Sequence, residues 1–208
     1  MTRRRTITAL ALLVTGALGF MASPANAAME TYAIDKDHTN IGFRIKHFFS
    51  KVPGRFNQFQ GTIELDRDDL GQGKVTISID TASIDTNEAA RDKHLRSDDF
   101  FAVEKFPKMT YTSTKVIKVS DDKLKIDGVL TIRGISKPVS LDVDVLGFGK
   151  GYGFRGAFEA RTTINRKDFD VAWNDVVEGG GLVLGNDVEI TLNVEAVRQK
   201  AAEPAPTN

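Results

Sequence analysis

The chain has 208 residues, 28 of them basic and 28 acidic, with 41% hydrophobic residues and no cysteine. Balanced charge gives no global pull toward nucleic acid or an anionic membrane surface. The missing cysteines exclude disulfides, iron–sulfur clusters and thiol chemistry.

The first 27 residues have the order of an export signal. Arg3, Arg4 and Arg5 precede an apolar run, Ile7 to Met21, interrupted only by Thr8, Thr15 and glycines. Ser23 and Pro24 follow, then Ala25-Asn26-Ala27, a small-x-small cleavage site. That is the pattern of a secretory signal peptide spanning residues 1–27 and cleaved near Ala27. An uncleaved membrane anchor is the alternative, but the run is short for a span of ~20 residues and ends in a proline. A lipoprotein anchor would need a cysteine. Thr6 stands where a twin-arginine signal prefers a bulky apolar residue, which favours the general secretory route. A periplasmic protein of 181 residues is expected, with 25 basic and 28 acidic residues once three arginines are removed. That length supports one buried core. No later segment is apolar enough to span a bilayer.

Along the mature chain the dominant signal is alternation with period two. Asn40–Phe49 puts Ile41, Phe43, Ile45 and His47 on one face; Gln58–Asp66 follows, and Gly71 and Gly73 punctuate the next connection. Val75, Ile77 and Ile79 alternate with Thr76, Ser78 and Asp80. The pattern then breaks. Asp85 is followed three residues later by Glu88, a capping-box-like start, and Ala89 to Leu95 favour helix. Ser97–Phe101 reads as a further short turn, and Pro107 ends the excursion. Met109–Val119 resumes the alternation, and Asp121-Asp122 turns the chain into Lys123–Arg133, where Leu124, Ile126, Gly128, Leu130 and Ile132 share a face. Gly134–Lys137 reads as a turn, Val139, Leu141, Val143 and Val145 as the next strand, and Gly147–Gly151 as another turn. Gly153–Ile164 and a strand carrying Val188, Ile190, Leu192 and Val194 complete about eight half-buried strands.

Strands joined by short turns predict an all-β fold, an eight-stranded antiparallel barrel over residues 28–198. Such a barrel holds packed side chains or one slender ligand. The charged helical insertion cannot lie inside it. It is expected near one mouth, as a plug or a gate, with Leu95, Phe100, Phe101 and Phe106 turned inward. Residues 199–208 are alanine- and proline-rich and predict a disordered tail.

Motifs for chemistry are sparse. Gly151-Tyr152-Gly153-Phe154-Arg155-Gly156 spells G-x-G-x-x-G, but Phe154, Phe158 and Ala160 alternate, so a strand follows where a dinucleotide site needs a helix. Gly179-Gly180-Gly181 reads as a flexible turn. His38, His47 and His94 make no zinc spacing. His47 shares the parity of Ile41, Phe43 and Ile45; it is a satisfied rim histidine, a donor to a ligand head group or, least favoured, a catalytic residue. His38 reads as a turn residue, and Asp98-Asp99 as helix caps. No G-x-S-x-G elbow or H-E-x-x-H helix is present. Neither a metal nor a cofactor is implied.

Four separated motifs carry a family resemblance. Asp37-His38-Thr39 with Phe43, His47 and Phe48, then Gly54-x-Phe56-x-x-Phe59-x-Gly61, resembles the opening of the YceI-like family. Arg91-Asp92-x-His94-Leu95-Arg96-Ser97-x-Asp99-Phe100-Phe101, followed by Glu104-Lys105-Phe106-Pro107, is similar to its central signature. Leu130-Thr131-Ile132-x-Gly134-x-Ser136-Lys137-Pro138-Val139 resembles its hairpin motif, and Ile164-Asn165-Arg166-x-Asp168-Phe169 its late motif. Ala102 stands where many relatives carry aspartate, which puts a local helix cap in doubt. The resemblance runs from about Thr31 to Arg198. It implies a lipocalin-like barrel in the periplasm that binds a polyisoprenoid or similar amphiphile in its pore.

The residues expected to line that pore are Phe43, Ile45 and His47, then Phe59 and Ile63, Met109 and Tyr111, Ile126 and Leu141, and Phe154 and Phe158. The expected function is a carrier or scavenger of a long-chain isoprenoid or fatty amphiphile, without catalysis and without nucleic acid. Two other classes stand beside it: a structural or stress-response barrel with no ligand, and an isoprenoid-modifying enzyme. The sequence leaves the oligomeric state open, a homodimer included.

Overall fold

The computed structural model describes residues 29–176 and 182–200. The export signal, the triple glycine and most of the tail lie outside the described residues. The strands are β1 (Glu30–Ile34), β2 (Asn40–His47), β3 (Ser50–Phe56), β4 (Phe59–Leu65), β5 (Lys74–Asp80), β6 (Ile84–Asp85), β7 (Lys108–Lys118), β8 (Lys123–Ile132), β9 (Ile135–Gly151), β10 (Gly153–Asn165) and β11 (Leu184–Arg198). A single α-helix among the described residues, α1 (Ala89–Arg96), sits between β6 and β7.

These segments form one antiparallel sheet in the order β1-β4-β5-β7-β8-β9-β10-β11, and the β1–β11 pairing closes it into an eight-stranded barrel. The three remaining strands extend that ring. β2 pairs with β11 and β3, and β3 pairs with β6, as β1 pairs with β11 and β4, and β4 with β5. Three neighbouring strands are thus each broken once at a common level, near residues 35–39, 57–58 and 81–83. Hydrogen bonds across the break keep the pieces in line. Asp80 N donates to Gln58 O at 2.8 Å, Asn57 N to Ser83 O at 3.1 Å, and Asp35 N to Glu195 O at 2.8 Å.

Beyond the break, β6 is two residues long and, among the described residues, has no second strand beside it. The wall between β6 and β7 is completed by the segment carrying α1. Arg96 ties that segment to one side, donating to the carbonyls of Ala82 at 2.8 Å and Ile84 at 2.7 Å. Arg133, in the β8–β9 turn, ties it to the other through the carbonyls of Asp98 and Phe100. The N-cap of α1 is Glu88, which accepts from Ala90 N and Arg91 N; Asp85 belongs to β6 and accepts from Asn87 N. The expected cap therefore shifts by three residues, because Asp85 is engaged in the sheet and its own turn.

Other boundaries shift for identifiable reasons. The β8–β9 turn is only Arg133-Gly134, both with positive φ (50° and 73°), and β9 starts at Ile135 rather than after Lys137. Two consecutive left-handed residues suit a two-residue hairpin. The stretch Gly147–Gly151 is not a turn; it is the end of a 17-residue strand, and the reversal falls at Tyr152. Its glycines face β10 where a register shift lies between Ala157 and Phe158. Asp98 and Asp99 cap nothing. Asp98 pairs with Lys105 at 2.7 Å, and Asp99 with His94 at 2.8 Å.

One buried hydrophobic cluster runs along the barrel interior, and one half of the barrel is closed by its members. Tyr32, Leu65, Val116, Leu124, Val143, Phe158 and Ala196 are buried there. Phe148 packs edge-on against Phe158 at 5.8 Å and lies 6.1 Å from Tyr32. At the end of this half Glu30 accepts from Tyr32 Oη at 2.6 Å, from Arg67 at 2.9 Å and 3.0 Å, and from Arg198 at 2.7 Å. Both guanidinium groups lie over the Phe154 ring, 4.8 Å and 4.6 Å from its centroid. Side chains and an ion cluster close this end.

Candidate functional site

The other half holds an apolar cavity of about 470 Å³, within the usual size range of small-molecule sites. Its depth is set by Ile41, Ile77, Tyr111, Leu141 and Leu192, all on inward positions of their strands. Higher on the walls stand Phe43, Ile45, Val52 and Phe56 from the β2–β3 hairpin, Met109, Leu130 and Ile132, and Ile164, Val188 and Ile190. The helical segment supplies Leu95, Phe100 and Phe101, and the stretch after β10 supplies Phe169, Val171 and Trp173. Two exposed charged residues, Glu88 and Arg91, also border the cavity, so it meets solvent beside α1.

Polar groups concentrate toward that end. Deep in the cavity the polar side chain is Tyr111, whose hydroxyl is within reach of the carbonyls of Ile126 (3.0 Å) and Val139 (3.2 Å). Burial, reinforced by the Asp127 charge, pushes its pKa up to about 12, so it stays neutral. His47 lies near the mouth with Phe48 edge-on at 4.6 Å. The His94 ring meets Phe100 at 5.0 Å and Trp173 at 4.9 Å, both edge-on, while its Nε2 faces Asp99. Arg91 is held by Thr86, whose hydroxyl and carbonyl each accept at 2.7 Å.

Arg166 is the most unusual of these groups. It is 4% exposed and borders the cavity. Its Nε donates to Gly185 O at 2.9 Å, and Nη1 to Val171 O at 2.6 Å and Trp173 O at 2.7 Å. Burial lowers its pKa from the ordinary arginine value.

Six of the expected lining residues meet at the cavity: Phe43, Ile45, His47, Met109, Tyr111 and Leu141. Phe59, Ile63, Ile126, Phe154 and Phe158 are not among its walls. Ile63, Ile126 and Phe158 are buried in the core, and Phe154 lies under the two arginines of the closed end. Parity gave the correct face of the sheet, but height along the strand decides whether an inward residue meets packed side chains or the cavity. Leu95, Phe100 and Phe101 turn inward as expected; Phe106 instead packs against Gly134. Arg166 and Trp173 were missed, since neither sits in an alternating strand. The buried cation had one available signal, its place in the Ile164–Phe169 motif. His38 lies in a short 3₁₀ turn, its Nδ1 2.9 Å from Asp35, away from the cavity.

Among the described residues no cluster of histidine and carboxylate side chains could hold a metal, and no helix is long and apolar enough to cross a membrane. The segment Gly153–Asn165 that follows Gly151 and Tyr152 is strand β10, which leaves no helix N-terminus for a dinucleotide.

Comparison with known proteins agrees with this architecture. The family described as the YceI-like domain matches residues 32–196. A UPF0312 protein of Pectobacterium atrosepticum is 43% identical over 91% of this chain and 97% of its own. The crystal structure of the Campylobacter jejuni YceI protein superposes with a TM-score of 0.64 at 33% identity, covering 80% of this chain and 96% of that one. A domain from Saccharophagus degradans described as polyisoprenoid binding shares the fold, with a TM-score of 0.59, 16% identity and coverage of 81% and 98%.

Proposed function

We propose that this chain, which belongs to the YceI-like family, carries or scavenges a long-chain isoprenoid or similar amphiphile, held tail-first in the half-empty barrel. The supporting observation is the division of the interior. One half is filled by side chains and shut by the Glu30 cluster, while the other is an apolar cavity whose polar groups gather at its solvent end. The polyisoprenoid-binding description of the Saccharophagus domain supports the same ligand class.

Hydrocarbon burial suffices for affinity. Burying one five-carbon unit stabilises by at most about 4 kcal/mol, at ~0.8 kcal/mol per carbon. A micromolar complex needs about 8 kcal/mol net, which a few units exceed after ordering costs. Such binding discriminates poorly between tails, so tolerance of chain length is expected. A ligand-free structural barrel would leave this cavity empty.

The reading includes export. Arg3–Arg5, the apolar run and Ala25-Asn26-Ala27 support cleavage near Ala27 and a periplasmic protein. Intact mass of the protein from the periplasmic fraction should equal that of residues 28–208. Native mass spectrometry of the same material, purified without detergent, should show a co-purifying lipid that organic extraction removes. A bare mass that also fails to take up added isoprenoid alcohols would overturn the carrier reading.

A further inference from the structure

The β2–β3 connection is two residues long, since His47 pairs with Ser50, and both residues are phenylalanine. Hairpin loops of this length favour glycine, asparagine and aspartate, for which positive φ costs little. Phe48 instead takes a φ of 50°, a strained value for a bulky side chain, and Phe49 stands wholly exposed. Neither ring is a wall of the cavity. Backbone strain of this kind is characteristic of functional positions, and Phe49 buries no surface that would offset it within the chain.

The tip stands on the rim of the cavity mouth. Phe48 N donates to Val183 O at 3.0 Å, and His47, Val52 and Val183 all border the cavity. On the same rim the Val176–Leu182 bridge presents two more exposed apolar side chains. One step behind the tip, Lys46 and Lys51 stand directly opposite each other across the hairpin, both exposed. Like charges in that register repel. Among the described residues Lys51 has Glu189 as its ion-pair partner, and Lys46 has none. Of the other carboxylates at this end, Asp175 accepts from Val176 N, and Asp187 stands opposite Asn165 of β10.

We propose that the Phe48-Phe49 tip is a membrane-docking surface that seats the cavity mouth on a phospholipid bilayer. The proposal rests on the carrier reading for its purpose: a tail drawn from a bilayer avoids water when the mouth meets the bilayer. The hairpin repeats the layering of that surface. The two rings suit the boundary of the acyl chains, and the two lysines lie where phosphates stand, their alkyl stems running back along the apolar tip. The acidic excess of the mature chain does not oppose this contact, because charges beyond about 8 Å are screened at physiological ionic strength. A second copy is a poorer occupant, since a two-fold contact at the tip would bring each lysine pair toward the other copy's.

The test uses the mature protein, stripped of lipid, and vesicles of mixed phosphatidylethanolamine and phosphatidylglycerol. Wild-type protein should sediment with the vesicles. Phe49→Ser should bind them about ten-fold more weakly, with the same melting temperature and the same uptake of farnesol from solution. Tyr152→Ser removes an equally exposed ring at the β9–β10 reversal and should bind vesicles like the wild type. Wild-type protein that takes up farnesol but ignores vesicles would overturn the docking proposal and leave the carrier reading standing. Vesicle binding without farnesol uptake would sink the carrier reading and keep the tip as a membrane contact. Binding that persists undiminished in Phe49→Ser, or that falls equally in Tyr152→Ser, would assign the contact elsewhere and overturn the proposal. So would a dimer, formed without vesicle binding, that Phe49→Ser abolishes. The chain has no cysteine, so Phe49→Cys carries a single nitroxide label. On vesicle binding that label should lose access to a water-soluble relaxation agent and gain access to oxygen; unchanged access to both would overturn the proposal.

Discussion

Glu30 shows how one residue shuts the filled end of the barrel. Burial alone would raise its pKa, but hydrogen bonds from Arg67, Tyr32 and Arg198 outweigh burial and lower it from 4.5 to about 2. A carboxyl whose pKa is lower in the folded state binds its proton less readily than in the unfolded chain. The stability it contributes is therefore complete above the unfolded value and lost as pH falls through the folded one. Asp35, held by Arg155 and His38, is likewise lowered to about 2. Melting temperature should hold steady down to about pH 5 and fall between there and about pH 2. Glu30→Gln should lower the melting temperature at neutral pH and flatten part of that acid slope. An unchanged slope in the variant would show that the Glu30 cluster does not contribute.

Two glycines on neighbouring elements separate binding from stability. A Cβ at Gly54 of β3 would come 2.2 Å from the Phe43 ring of β2, and its three nearest atoms all belong to that ring. The ring can rotate away, at the expense of the cavity it lines. A Cβ at Gly128 of β8 would come 2.4 Å from the Tyr111 ring and 2.6 Å from the backbone carbonyl of Thr112, which cannot rotate away. Gly54→Ala should weaken lipid binding with a small change in melting temperature. Gly128→Ala should instead cost stability, about 1–3 kcal/mol as for other overpacked cores, read by denaturant titration. The reverse order would mean that Phe43 has no freedom and that the β2–β3 hairpin is packed like the core.

At the scale of the molecule, the barrel is two compartments in one sheet. A charge introduced into each should meet a different fate. Phe158 is buried against Phe148 in the filled half, so Phe158→Lys leaves an unpaired charge in packed core and should unfold the domain. Phe43 borders the cavity, where water can reach a lysine, so Phe43→Lys should fold and lose its lipid. Circular dichroism and native mass spectrometry on the two variants read both outcomes. Asp142→Lys, on an outward position of β9, should keep both fold and lipid. If Phe43→Lys also unfolds, the cavity at that height is not accessible to water, and the carrier reading loses its main support.

Period-two alternation was enough to determine the all-β class, the inward face of β5, β8 and β11, and the place of the helical insertion, because alternation is the local consequence of a sheet with one apolar face. In β7 it held through Tyr111 and then flipped at the register shift between Ser113 and Lys115, which turns Val116 inward. The same logic gave no strand at β3, Ser50–Phe56, although the segment pairs with β2 along its whole length. It also failed at β9, whose glycines continue a strand because β10 supplies the hydrogen-bond partners. Height could not be read locally at all. Phe43 and Phe158 are equivalent in parity, yet one borders a void and the other fills a core, and only the ring of pairings that sets every strand's level decides which. Arg166 is the extreme case. The sequence shows a charged residue at the end of a strand, and charged residues there are ordinarily solvated. Only the folded chain brings the carbonyls of Val171, Trp173 and Gly185 around it, and that enclosure gives a surface-type residue a buried position.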